Sequence, residues 1–173
     1  MKFPPFAYVV EPLDAQHNRS DFECGVEPLD RYLKQQASQD MRRRIAALFV
    51  LVDQDIDSIA GYYTLAATAI RLAELPPEIT KKLPKYPLVP ATLLGRLAVD
   101  QRYQGQGIGS FLLMDALRRS FNSEIASMAV VVDAKDDKAR DFYEHHQFIP
   151  FSEQSQRLYL SMTTIAKLFG SST

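Results

Sequence analysis

The sequence predicts an α/β fold, a layer of sheet with helices packed against it. Three observations predict it. Apolar stretches of strand length recur along the chain and alternate with segments of helical period. The stretch "RYQGQGIGSF", residues 102–111, places Gly105, Gly107 and Gly109 at a strand-to-helix junction, although the whole chain of 173 residues has only seven glycines. The composition, 46 % hydrophobic and 24 % charged, is that of an ordinary globular protein, and the length suits one domain with a full core.

Each element has its own warrant. "AYVVEP" (7–12) is a short first strand. "EPLDRYLKQQASQDMRR" (27–43) is a helix: Pro28 suits its first turn, and Leu29, Tyr32, Leu33, Gln36 and Ala37 fall on one face. "IAALFVLV" (45–52) and "SIAGYYTLAATAI" (58–70) are strands joined by the polar turn "DQDID". Pro76, Pro77, Pro84, Pro87 and Pro90 then mark an excursion loop with one short helix near 77–83. "TLLGRLAV" (92–99) is a strand, followed by the glycine junction and a helix from Phe111 to Phe121, where Leu113, Leu117 and Phe121 line up at every fourth position beside Ile108, Leu112 and Ala116. "MAVVVDA" (128–134) is a buried strand, "DKARDFYEHH" (137–146) a short helix and "QRLYLSM" (156–162) a last strand.

Composition excludes several classes. No stretch is long and apolar enough to span a membrane, and the start, "MKFPPFAYVVEPLD", is interrupted by Pro4, Pro5 and Pro12 and lacks a signal-peptide core; a cytoplasmic protein is expected. The single Cys24 cannot form an internal disulfide, and no Cys/His cluster has metal-ligand spacing, so no metal is expected. A formal charge of −1 argues against a globally basic nucleic-acid binder while allowing a local basic face.

The glycine junction suits an anion. A strand turning sharply into a helix exposes the first N–H groups of that helix, and its dipole adds positive potential. Glycines permit the backbone angles and let a phosphate come close. The alternative is a tight turn that binds nothing. There is no Gly-Lys-Ser/Thr, so this is not a P-loop. Asp133 lies at about the right distance for a dinucleotide site, but the Gly-x-Gly-x-x-Gly spacing fails.

What remains is Gln-x-x-Gly-x-Gly, in Gln104, Gly107 and Gly109. It resembles the acyl-CoA signature of the GNAT acetyltransferases, as does the whole of "LLGRLAVDQRYQGQGIGSFLLMDALRRSF". "DDKARDFYEHHQF" is similar to their later helix, with the Ala-x-x-Phe-Tyr pattern in Ala139, Phe142 and Tyr143. The resemblance implies one GNAT domain over residues 1–173, with a mixed central sheet splayed between its fourth and fifth strands and flanked by helices. Residues 92–99 and 128–134 would be those two strands. Acetyl-CoA would lie along Leu97, Ala98 and Val99, with its pyrophosphate on Gln104, Gly105, Gln106, Gly107, Ile108, Gly109 and Ser110. Asp136, Ala139 and Phe142 would meet its arm. Two positions depart from the family: Asp136 stands where Asn is frequent, and Gln147 where Gly is usual.

Acetyl transfer to an amine needs a neutral amine, a stabilised oxyanion and a protonated leaving thiolate. By the resemblance, the Val99 backbone N–H serves the oxyanion and Tyr143 is the acid. A phenol with a pKa near ~10 stays protonated at neutral pH, although Tyr143 also reads as an ordinary core aromatic. His145 and His146 stand at a helix end, where they read as caps as readily as bases. His17 falls in a loop, and no Glu–His pairing marks a base. An α-amine (pKa ~7.7) needs far less help losing a proton than a lysine (~10.4), so the acceptor leans toward an α-amine.

"FECGVEPLDRYLKQQASQDMRRR", "GYYTLAATAI" and the "FYEHH" helix resemble one branch, the TacT-like toxins of type II toxin–antitoxin systems. That implies acetylation of the α-amine of aminoacyl-tRNA, a block of translation, a ribbon–helix–helix antitoxin and a homodimer. Arg42, Arg43 and Arg44 form the densest basic cluster; Lys34, Lys81, Lys82 and Lys85 add to it, and Arg96 interrupts an apolar strand. A tRNA acceptor arm needs such a rim. A basic run is equally a solvated face, and Arg96 an edge salt bridge. Two other functions remain at this level: a GNAT enzyme for a small amine or protein N-terminus, and an acyl-CoA-binding module without turnover.

Overall fold

The computed structural model describes residues 7–170, and the prolines Pro4 and Pro5 lie outside them. Seven strands are hydrogen bonded in the order β1-β2-β3-β4-β5-β7-β6. They are β1 (Tyr8–Pro12), β2 (Ala47–Asp53), β3 (Ser58–Arg71), β4 (Leu88–Val99), β5 (Ala129–Asp133), β6 (Ile149–Pro150) and β7 (Arg157–Ser161). The helices are α1 (Glu27–Arg31), a π-turn (Tyr32–Gln36), α2 (Ala37–Arg42), α3 (Pro77–Thr80), α4 (Ile108–Phe121), α5 (Asp137–His145) and α6 (Met162–Leu168). The mixed α/β class expected from the sequence is what forms. Pairs β1–β2, β2–β3, β5–β7 and β6–β7 are antiparallel, and β4–β5 is parallel. The β4–β5 register joins Thr92, Leu93 and Leu94 to Val130, Val131 and Val132, and β4 runs on to Val99.

The chain divides into two compact units. The first holds residues up to Ala66 and Gly95–Ala116. Its core is built of Leu13, Phe22, Tyr32, Leu33, Leu48, Val50, Tyr62 and Ala98, all buried. Leu48, Val50 and Val52, at alternate positions of β2, with Ile59 and Tyr62 of β3, supply the sheet side, and Leu33 and Ala37, both fully buried, supply the helix side. Gly61 lets the elements close up: a Cβ there would stand 2.7 Å from a Leu112 methyl and 2.8 Å from the Ala98 carbonyl oxygen. Tyr63 also donates to the buried carboxylate of Asp115 on α4.

The second unit holds Ala67–Leu94 and the chain from Leu117 on. Ile70, Leu75, Val89, Ala91, Ala129, Val131 and Tyr159 form its core, with Ile79 and Leu83 packed on it. Here the expected proline loop is partly corrected. β4 starts at Leu88, not Thr92, and contains Pro90. Proline has no N–H to give, but its carbonyl accepts from Met128 N–H at 2.9 Å, so the strand keeps the bond it needs. β6 and α6 were not foreseen. The Ser161 side chain caps α6 by accepting from Thr164 N–H, and Ile165 and Ala166 bury its inner face.

Candidate active site

The glycine junction lies in the first unit. Gly105 and Gly107 both take φ of 80°, a left-handed conformation that a side chain resists. A Cβ on Gly105 would meet nothing within 4 Å, so the loop faces open space there. The helix begins at Ile108, three residues before the expected start, which puts Gly109 inside its first turn rather than in the loop. The first bond of this helix runs from Phe111 N–H to the Gly107 carbonyl at 3.0 Å. The N–H groups of Ile108 and Gly109 precede that ladder at the positive end of a 14-residue helix. This donor set, all backbone and approachable past two glycines, fits a pyrophosphate.

What holds the loop was not legible in the motif. Gln104 Nε2 donates to the carbonyl of Val99 and to that of Cys24, each at 3.0 Å. The signature glutamine thus braces the loop against the end of β4 and the N-terminal segment. Asp100, 1 % exposed, does the same from the other side. It accepts from Glu23 N–H, Arg102 N–H and the Arg102 guanidinium at 2.9–3.1 Å, and the Gln101 N–H donates to the Glu23 carbonyl at 2.8 Å. Burial pushes the Asp100 carboxyl up, but the Arg102 side chain and the two backbone donors outweigh it and hold it below the usual range. A buried acid between Val99 and the loop was the available signal.

The predicted acceptor-side residues fall in four places. Arg42, Arg43 and Arg44 are exposed at the end of α2, with Arg44 at φ 58°. Lys34 is exposed on the π-turn; Lys81, Lys82 and Lys85 are exposed in the second unit, where Lys85, Arg71 and Tyr86 line an open groove. Among the described residues Arg96 has no salt-bridge partner. Its guanidinium stacks on the Tyr32 ring, 3.5 Å from the centroid. The Tyr32 hydroxyl donates to Asp40 at 2.8 Å. His17 is more than a loop residue: its Nε2 donates to Glu11 at 2.7 Å and its Nδ1 accepts from Asp14 N–H at 2.9 Å. The pairing the sequence did not show is therefore present, as a brace at the end of β1.

Tyr143 lies on α5 in the second unit, 8 % exposed. The Asp136 carboxylate caps this helix by accepting from Ala139 N–H at 2.8 Å. Phe142 stacks on Tyr143 with ring centres 5.2 Å apart. Burial pushes the Tyr143 phenol well above its ordinary pKa, so it is protonated throughout the neutral range. His146 closes the helix and packs on Phe142 at 4.9 Å. Burial, and then His145, push its pKa down. Among the described residues no group of three or more His, Cys, Asp or Glu could hold a metal, and no helix is long and apolar enough to cross a membrane.

Comparison with known proteins decides the family. Residues 90–169 match the acetyltransferase (GNAT) domain. A tRNA-acetylating toxin of Mycobacterium tuberculosis is 33 % identical over 153 residues, 87 % of this chain and 90 % of that one. The chain belongs to the GNAT acetyltransferases. Within this family it is similar to the TacT-like toxins: a probable toxin TacT of Sinorhizobium fredii (strain NBRC 101917 / NGR234) is 28 % identical over 172 residues, 94 % of this chain and 95 % of that one. The structure of AtaT complexed with acetyl-methionyl-tRNAfMet superposes with a TM-score of 0.86 at 31 % identity, covering 94 % of this chain and 99 % of that one. A Tyr-to-Phe mutant of AtaT, bound to acetyl-CoA and the C-terminus of the antitoxin AtaR, gives 0.80 at 27 % identity, with 94 % and 98 % covered. As a GNAT acetyltransferase the chain is an enzyme with acetyl-CoA as cosubstrate.

Proposed function

We propose that this acetyltransferase acetylates the α-amine of the amino acid on charged tRNA and so blocks translation. The observation that carries the reading is the paired left-handed glycines, Gly105 and Gly107, opening directly onto the N-terminus of α4. Relatives that acetylate tRNA or are bound to acetylated tRNA supply the acceptor. Residues 1–173 act as one domain, in the cytoplasm, as a homodimer. A ribbon–helix–helix antitoxin holds the toxin in check, as the antitoxin-bound relative suggests.

Acetyl-CoA supplies the acetyl group as a reactive thioester. Gln106, Gly107, Ile108, Gly109 and Ser110 bind its pyrophosphate through backbone N–H groups, with Gln104 and Gly105 shaping the loop. Leu97 and Ala98 flank the thioester arm; Asp136, Ala139 and Phe142 are assigned to the cosubstrate by the family resemblance alone. The Val99 N–H stabilises the developing oxyanion, and Gln104, by holding the Val99 carbonyl, fixes the next peptide unit, Val99–Asp100. Tyr143 keeps its proton until the thiolate departs, then donates it. Arg42, Arg43, Arg44 and Arg96 meet the phosphates of the acceptor arm. No strong base is required, because an α-amine on an ester is already partly neutral near pH 7. The direct test is incubation with acetyl-CoA and total charged tRNA, with mass spectrometry of the released aminoacyl groups. N-acetyl-aminoacyl-tRNA is expected; its absence, with acetylation of a simple amine instead, overturns the acceptor.

A further inference from the structure

Arg96 is a cation in a strand, and its surroundings fix its posture. Its guanidinium lies 3.5 Å from the centre of the Tyr32 ring. That ring is held from two sides. Its hydroxyl donates to the Asp40 carboxylate at 2.8 Å, and Gln36 Nε2 donates to the other carboxylate oxygen at 3.0 Å. Tyr62 stacks with it at 6.4 Å and 17°, and is anchored in turn by a 2.7 Å bond to the Leu29 carbonyl. Tyr32 and Gln36 begin and end the π-turn, so the distortion of the helix falls where the network needs it.

A guanidinium has two kinds of surface. Its face binds an aromatic ring, and its edge carries N–H donors spaced for two oxygens of a phosphate. Here the face is given to Tyr32. Asp40 is 8 % exposed and its oxygens accept from Tyr32 and Gln36. Among the described residues no carboxylate forms an ion pair with Arg96. The acid holds the ring; its charge and that of Arg96 attract each other without a contact ion pair, so the guanidinium edge can receive an outside oxyanion.

We propose that Tyr32 and Asp40 are positioning residues for Arg96, setting its guanidinium edge to receive a phosphate of the acceptor RNA. This rests on the reading that Arg96 meets tRNA. A stack that merely ties β4 to the helical segment would affect both substrates alike. A positioning stack affects one.

The test is the KM for charged tRNA and the KM for acetyl-CoA, measured on the full chain with Tyr32→Leu, Tyr32→Phe, Arg96→Lys, Arg96→Ala and the double variant Tyr32→Leu/Arg96→Ala. Arg96→Ala is expected to raise the charged-tRNA KM about 10-fold, and Tyr32→Leu about 5- to 10-fold. The double variant should be no worse than Arg96→Ala alone, within about twofold. Tyr32→Phe, which keeps the ring face, should return to within about threefold of wild type, and the acetyl-CoA KM should stay within about twofold in every variant. Multiplying effects in the double variant, or an acetyl-CoA KM that rises in step with the tRNA KM in Tyr32→Leu, overturns the proposal. Arg96→Lys keeps the charge and loses the flat face, so a wild-type tRNA KM in that variant also overturns it, whether or not Tyr32→Leu folds. If Arg96→Ala leaves the tRNA KM unchanged, or wild type transfers nothing to charged tRNA, the underlying reading fails. That result is distinct from one in which Arg96 matters and Tyr32 does not.

Discussion

Phe148 donates its backbone N–H to the carbonyl of Tyr143 at 3.0 Å, and the two rings stand 5.4 Å apart. With Gln147 N–H bonded to the Glu144 carbonyl, this is a Schellman closure of α5 with its hydrophobic contact in place. The left-handed position belongs to Gln147, at φ 74°, where glycine is usual in the family. Gln147→Gly is therefore expected to stabilise the protein by about 1 kcal/mol, less the entropy a glycine adds to the unfolded chain. Urea denaturation measures it; a loss of stability would show that Gln147 makes contacts worth more than its strain.

Tyr143→Phe should keep acetyl-CoA affinity and lower the transfer rate about 10²- to 10⁴-fold. The pH dependence has a definite sign. Burial raises the phenol pKa, so the protonated form persists above the ordinary value of ~10. The wild-type rate should then show no alkaline fall from this group between about pH 8 and 10. A Phe variant at near wild-type rate returns Tyr143 to core packing.

Gly107→Glu puts a side chain and a negative charge at a left-handed position beside the α4 N-terminus. Acetyl-CoA binding by calorimetry should be lost while circular dichroism shows a folded chain. Unchanged affinity in the folded variant would move the pyrophosphate elsewhere.

Asp100→Asn tests the brace. The folded pKa of Asp100 lies below the ordinary carboxylate range, so its ionised form stabilises the protein above about pH 4 and that contribution fades as pH falls through the folded value. The variant should be less stable by about 1–3 kcal/mol at pH 7, with the gap to wild type narrowing below about pH 4. A gap that is constant across this range would assign the loss to packing.

Arg42→Glu/Arg43→Glu should weaken acetylation of charged tRNA and flatten its salt dependence by about one unit of slope per lost phosphate contact. Acetyl-CoA affinity should not move. Superimposable salt curves for variant and wild type would remove this cluster from the tRNA path.

Much of this was legible because period and punctuation are local. The strand 47–53, the buried face of α4 and the short helix α5 follow from residues within a turn or two of one another. The glycine junction was visible for the same reason. What escaped was decided by distant partners. Pro90 reads as a strand breaker until Met128 is seen to need only its carbonyl. Gln104 reads as a ligand group until Val99 and Cys24 claim its amide. Arg96 reads as a lone charge because Tyr32 is 64 positions away in sequence. The π-turn has no signature in residue spacing; its first and last residues, Tyr32 and Gln36, both bond the later Asp40.

The stitching of Glu23 and Cys24 to residues 100–104 also bears on how the protein comes to life on the ribosome. Two of these bonds bridge 77 and 80 positions. Contacts of such span close late, because a long loop must be ordered before they yield anything. The glycine loop cannot take its braced shape until the early-made segment Glu23–Cys24 has received a stretch of chain synthesised some 80 residues later. If the protein is a poison of translation, it is one that its own synthesis must first be allowed to finish.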